Sequence, residues 1–83
     1  MLILYVKDNC AFSAKVRDAA KDLGITLTEK NIKNPIYLAE LIEKGGRQQT
    51  PYFVDDETGT ALYESFPIIE YLKTRVSNAT RDT

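Results

Sequence analysis

Leu2-Ile3-Leu4-Tyr5-Val6 is five apolar residues in a row, with no polar residue at every second position. A run that short, built from β-branched and aromatic side chains, suits a strand covered on both faces rather than one with a wet side. Such a strand is central in its sheet, so the rest of the chain has to supply neighbouring strands and packing layers above and below it. With 83 residues there is material for one small domain and one core.

The following segments meet that demand in order. From about Ser13 to Leu23, Val16, Ala19, Ala20 and Leu23 recur at helical spacing opposite Lys15, Arg17, Asp18, Lys21 and Asp22, and Gly24 supplies the stop. Ile25 to Ile32 alternates, with Ile25, Leu27 and Ile32 separated by polar residues and Thr26 and Thr28 adding β-branching, which predicts a second strand. Asn34-Pro35 reads as a helix N-cap and first helical position, Leu38, Leu41 and Ile42 as the buried face, and Gly45-Gly46 as the end. Arg47 to Pro51 connects to the short strand Tyr52-Phe53-Val54, Asp55 to Gly59 is a turn, and Thr60 to Tyr63 returns as the second arm of a hairpin.

Ser65 caps a last helix whose buried stripe is Ile68, Ile69, Leu72 and Val76. The order β-α-β-α-β-β-α predicts an α/β fold with a four-stranded mixed sheet, parallel where helices intervene, antiparallel at the hairpin, and flanked by helices on both faces. Residues 1–76 are expected to form the domain, and the polar, aperiodic residues 77–83 a C-terminal tail that frays.

Composition excludes several classes of function. Eleven basic and twelve acidic residues are interspersed for a net charge of -1, which is no electrostatic footprint for nucleic acid or an anionic membrane. No apolar run reaches the ~18 residues of a membrane span, and no signal-peptide pattern opens the chain, so a reducing cytoplasm is the expected compartment. Asn78-Ala79-Thr80 has the form of a glycosylation acceptor, a chance match in that setting. One cysteine and no histidine leave neither an internal disulfide nor a zinc ligand set, and no metal is expected on a single chain.

The residue that offers chemistry is Cys10, in Asn9-Cys10-Ala11-Phe12-Ser13 between the first strand and the first helical pattern. A sulfur at a helix N-terminus meets unsatisfied backbone N–H groups and the positive end of the helix dipole, both of which favour thiolate over thiol. Lys7, three residues upstream, adds a positive charge nearby. A lone cysteine is otherwise a small buried hydrophobe chosen for packing.

Over residues 1 to 75 the chain resembles the glutaredoxin branch of the thioredoxin-like fold. The likeness is carried by Lys7-Asp8-Asn9-Cys10-Ala11-Phe12-Ser13 after the first strand, Asn34-Pro35, Thr50-Pro51 before the third strand, and Glu64-Ser65 at the start of the last helix. The resemblance implies that Cys10 is the nucleophile of exchange with glutathione and that Lys7 pairs with a carboxylate of that tripeptide. It also implies that Pro51 follows a cis bond, with the Thr50 backbone N–H and C=O open to pairing with the cysteinyl part of glutathione. Glu64-Ser65, with the helix start at Phe66, resembles the segment that holds the γ-glutamyl end in glutathione transferases, where a carboxylate at a helix N-terminus is physically reasonable. Plain readings stand beside these: Lys7 as a surface lysine, Ser65 as a helix cap only, and Phe12 and Tyr52 either in the core or flanking the thiol.

Ser13 stands where a dithiol glutaredoxin has its resolving cysteine. Without that thiol the resemblance implies a monothiol cycle, with glutathione as co-substrate and glutathionylated proteins or small mixed disulfides as partners. Ser13 can at most donate a hydrogen bond to the sulfur. Cys10-Ala11-Phe12-Ser13 also resembles, without matching, the C-G-F-S pattern of monothiol glutaredoxins that bridge an iron–sulfur cluster between subunits. The loop those proteins carry before their cysteine is not evident, so a noncatalytic glutathione-binding or cluster-bridging protein is the runner-up. A glutathione transferase is less expected, because that family continues into an all-helical domain where this sequence stops. The expected state is a monomer.

Overall fold

β1 (Leu2–Val6) lies inside a four-stranded sheet, with β2 (Thr28–Asn31) on one side and β3 (Tyr52–Asp55) on the other, and β4 (Thr60–Tyr63) beyond β3. This computed structural model describes residues 1–81, and side chains as far as residue 76. The β1–β2 pair is parallel, and the β1–β3 and β3–β4 pairs are antiparallel. Three helices complete the chain: α1 (Ala11–Asp22), α2 (Pro35–Gly45) and α3 (Ser65–Arg81). The sheet is mixed and the fold is α/β.

Ile3, Leu4, Tyr5 and Val6 are all buried, and alternation along the strand divides them between two cores. Leu4 and Val6 pack with Val16 and Ala20 of α1, Phe53 of β3, and Ile68 and Leu72 of α3. Ile3 and Tyr5 join Ile32, Tyr52 and Leu41 of α2 on the opposite face. The first and last helices therefore share one side of the sheet while α2 covers the other.

Several expectations are corrected by this packing. β2 is four residues long, and Ile25 and Leu27, read as part of it, pack against the α1–α3 core from the preceding loop. Ile42, expected on the buried face of α2, is 46% exposed, and Tyr37 and Leu38 instead pack beside Leu41. Ser65 is the first helical residue rather than the cap: the Glu64 carbonyl before it accepts from the Ile68 N–H at 3.4 Å. α3 is described as far as Arg81; helical backbone there does not decide the expected fraying from 77, and residues 82 and 83 lie outside the described residues. Asn34 does cap α2, its side chain accepting from the Ile36 N–H at 2.9 Å.

Asp55, read as the start of a turn, closes β3 with its side chain fully buried. It accepts hydrogen bonds from the Tyr71 hydroxyl at 2.6 Å and the Glu57 N–H at 3.1 Å, and Arg75 stands 3.1 Å away. Burial pushes this carboxyl up, but Tyr71, the Glu57 N–H and the Arg75 charge outweigh it and hold it below the usual carboxylate range.

Candidate functional site

The chain leaves β1 through Asn9 at φ 59°, a left-handed conformation that asparagine tolerates better than most residues. Cys10 follows in extended conformation at the N-cap of α1, its carbonyl accepting from the Ala14 N–H at 3.1 Å. The sulfur is half-buried, and the Thr50 hydroxyl donates to it at 3.6 Å. Ser13, three residues into the same turn and therefore on the same face as Cys10, is 1% exposed. Its hydroxyl is a buried polar group without a hydrogen-bond partner.

Burial pushes the Cys10 thiol up, and the Ser13 hydroxyl and N–H, the Thr50 hydroxyl and the Phe12 N–H more than reverse this, bringing the pKa to about 7. Of these donors, only Thr50 meets the distance and angle of a formed hydrogen bond. The Ser13 hydroxyl and the first N–H groups of α1 act as dipoles directed at the sulfur. A buried hydroxyl left without a partner is unfavourable by about 1 to 3 kcal/mol, and ionisation of Cys10 gives this one an acceptor within a helical turn. Ser13→Ala is accordingly expected to move the Cys10 titration upward by about one pH unit, cutting the thiolate at pH 7 from about half to about a tenth. Ultraviolet thiolate absorbance against pH measures it, and an unmoved titration would assign the effect to Thr50 and the helix N–H groups alone.

The Thr50-Pro51 peptide bond is cis. Thr50, Pro51, Glu64 and Ser65 line a groove of about 470 Å³ together with Phe12 and Phe66. Both phenylalanines are largely exposed, at 56% and 73%, whereas Tyr52 is buried in the core, which settles the two open aromatic readings. Glu64 sits at φ 73°, an uncommon conformation for a residue with a side chain, and makes the corner between β4 and α3. Because Pro67 has no N–H and Ile68 bonds to Glu64, the open donors of α3 are the Ser65 and Phe66 N–H groups.

Lys7 is exposed and shares with Cys10 a second, polar recess of about 390 Å³, which contains none of the groove residues. Arg17 also borders that recess but is held by a bidentate pair with Glu29, at 2.8 and 3.1 Å. Five of the expected residues, Phe12, Thr50, Pro51, Glu64 and Ser65, thus meet in one groove, and Cys10 joins it through the Thr50 hydrogen bond. Gln49 lines the groove as well and was not anticipated, since nothing in a polar loop distinguishes one glutamine from the next. Among the described residues no group of three or more His, Cys, Asp or Glu side chains could hold a metal ion, and no helix is long and apolar enough to cross a membrane.

A β2-β1-β3-β4 sheet with one parallel and two antiparallel pairs, helices on both faces and a sulfur at the start of α1 define a thioredoxin-like domain. The family described as glutathione S-transferase, N-terminal domain, matches residues 4–80, and the chain belongs to that family. A search of curated proteins finds no match. The match supports a thioredoxin-like, glutathione-related domain, and it is to the glutathione transferase family, which the sequence reading held less expected, rather than to the glutaredoxin branch.

Proposed function

We propose that this domain is a glutathione-dependent thiol–disulfide oxidoreductase working through Cys10 alone. The observation that carries this reading is the hydrogen bond from Thr50 to the Cys10 sulfur, because it joins the reactive atom to a groove within the size range of small-molecule sites. In this reading the cysteinyl part of glutathione lies along Thr50, and its γ-glutamyl carboxylate accepts from the Ser65 and Phe66 N–H groups at the start of α3. Lys7, approaching from the recess beside Cys10, supplies a positive charge for a carboxylate.

The Cys10 thiolate attacks the glutathione sulfur of a mixed disulfide, forming a Cys10–glutathione disulfide and expelling the substrate sulfur as a thiolate that takes up a proton. The thiolate of a second glutathione then attacks the glutathione sulfur of that adduct, which yields oxidised glutathione and returns Cys10 as thiolate. With a pKa of about 7, Cys10 is about half ionised at pH 7, against ~3% for an unperturbed thiol, a gain of roughly sixteenfold. Lower basicity takes back roughly fivefold in nucleophilicity, so attack gains only about threefold. The larger benefit falls on the second step, where a stabilised thiolate is the better leaving group and the Ser13 and Thr50 hydroxyls receive the returning charge.

Incubation with oxidised glutathione is expected to add one glutathionyl group to Cys10, seen by mass spectrometry and removed by reduced glutathione. Absence of the adduct overturns the proposal. An adduct that forms without turnover of glutathionylated proteins or small mixed disulfides would leave a binding protein rather than an enzyme.

A further inference from the structure

We propose that Tyr63 is a positioning residue for the glutathione groove, holding the loop between α2 and β3 so that Thr50 stands where the tripeptide needs it. This rests on the function proposed above. Tyr63 ends β4, immediately before Glu64, and its ring packs on Tyr52 with centroids 4.5 Å apart. Its hydroxyl donates to the Arg47 carbonyl at 3.0 Å, and the Arg47 guanidinium lies 4.3 Å from the ring centroid. Gly45, at the end of α2, is pressed against the same ring: an added Cβ would overlap the Tyr63 hydroxyl and stand 2.8 Å from Cζ. Glycine is required there by close approach, not by backbone conformation.

Residues 47–50 make no backbone–backbone hydrogen bonds among the described residues, and ladder pairing resumes only at Tyr52. The polar ties of this stretch are the Tyr63 bond at Arg47 and the Thr50 bond to Cys10. Tyr63 therefore stands between the two segments that line the groove. Its hydroxyl fixes the loop leading to Gln49 and Thr50, and its backbone leads directly into Glu64 and Ser65. Nothing in the chemistry needs the hydroxyl itself, which distinguishes it from the catalytic sulfur.

Tyr63→Phe keeps the ring on Tyr52 and removes only the anchor. It is expected to raise KM for glutathione on the order of tenfold, to move the Cys10 titration upward as the Thr50 hydrogen bond loosens, and to lower the backbone NMR order parameters of Gln48, Gln49 and Thr50. Gly45→Ala, which displaces the hydroxyl from the other side, is expected to act in the same direction, with the double variant no worse than the poorer single one. Should Gly45→Ala fail to fold, Tyr63→Phe alone decides the matter. A wild type that turns over, combined with unchanged KM in Tyr63→Phe, overturns this inference and leaves the proposed function standing. A wild type that never forms the glutathione adduct removes both, and unchanged order parameters at residues 48–50 in Tyr63→Phe remove the anchoring role independently of any activity.

Discussion

Cys10→Ser is expected to lose glutathione-coupled reduction of a small mixed disulfide by on the order of 10³-fold or more, with no loss of fold. The chain has no second cysteine to take over and no histidine to activate a hydroxyl. A serine hydroxyl at neutral pH is un-ionised, and Ser13 is too buried to meet a substrate. The substitution is nearly isosteric, and serine is a favoured N-cap where Cys10 makes no side-chain cap bond, so a Tm at or above wild type is expected. Wild-type activity should climb with pH through about 7, as the Cys10 thiolate forms, while the variant's residual rate should climb only toward about 8.5, where an unperturbed thiol such as glutathione's ionises. Retained turnover in Cys10→Ser would remove the sulfur from the mechanism.

Asp55→Ala should be the most damaging change away from the site, at about 3 kcal/mol, measured by urea unfolding. A domain of this length is worth about 4 to 12 kcal/mol in total. The loss comes from the buried Tyr71 hydrogen bond at 2.6 Å and the Glu57 N–H that the carboxylate satisfies. Arg75 adds less, because it is 36% exposed and returns to water when its partner goes. The Tyr71 hydroxyl would keep its contact with the Thr58 hydroxyl at 3.1 Å. The pH dependence has a definite sign. Since Asp55 titrates below the usual carboxylate range, its stabilisation is complete above the unfolded carboxylate pKa of about 3.9 and is lost as acid carries it down through the lower folded value. Wild type should therefore lose stability over that acid interval faster than Asp55→Ala, and parallel curves would mean the carboxylate carries no such linkage.

Much of the architecture was legible because local pattern and burial agree. The unbroken apolar run of β1 suited a central strand, Asn34-Pro35 read as a helix start, and the polar turn before Thr60 folds as a hairpin. What escaped reading depends on partners distant in the chain. Asp55 has the composition of a turn, and only Tyr71 and Arg75, brought over it by α3, make it a buried strand end. Ile42 fits the helical stripe of α2, but α2 spends its buried face on Tyr37, Leu38 and Leu41. Ile25 and Leu27 alternate as a strand does and bury as one does, without a neighbour to pair with until Thr28.

At the site, the residue types were readable and their division of labour was not. The helix N–H groups and Ser13 were readable as donors toward Cys10 and Lys7 as a charge nearby, whereas the Thr50 hydroxyl, which also pulls the thiol down, was not. Ser65 looked like a cap and instead begins α3, where it lines the groove. Tyr63 gave no signal at all, since its value lies in a contact with Gly45 and Arg47 that only the folded hairpin creates.

A sulfur with its midpoint at about 7 behaves as a dimmer rather than an on–off device. Between pH 6.5 and 7.5 its ionised fraction rises from about a quarter to about three quarters, the steepest response any single titrating group can give. A cysteine driven to full ionisation would be indifferent to such excursions. In the proposed cycle modest acidification would lower the share of attacking thiolate in proportion, and recovery of pH would restore it.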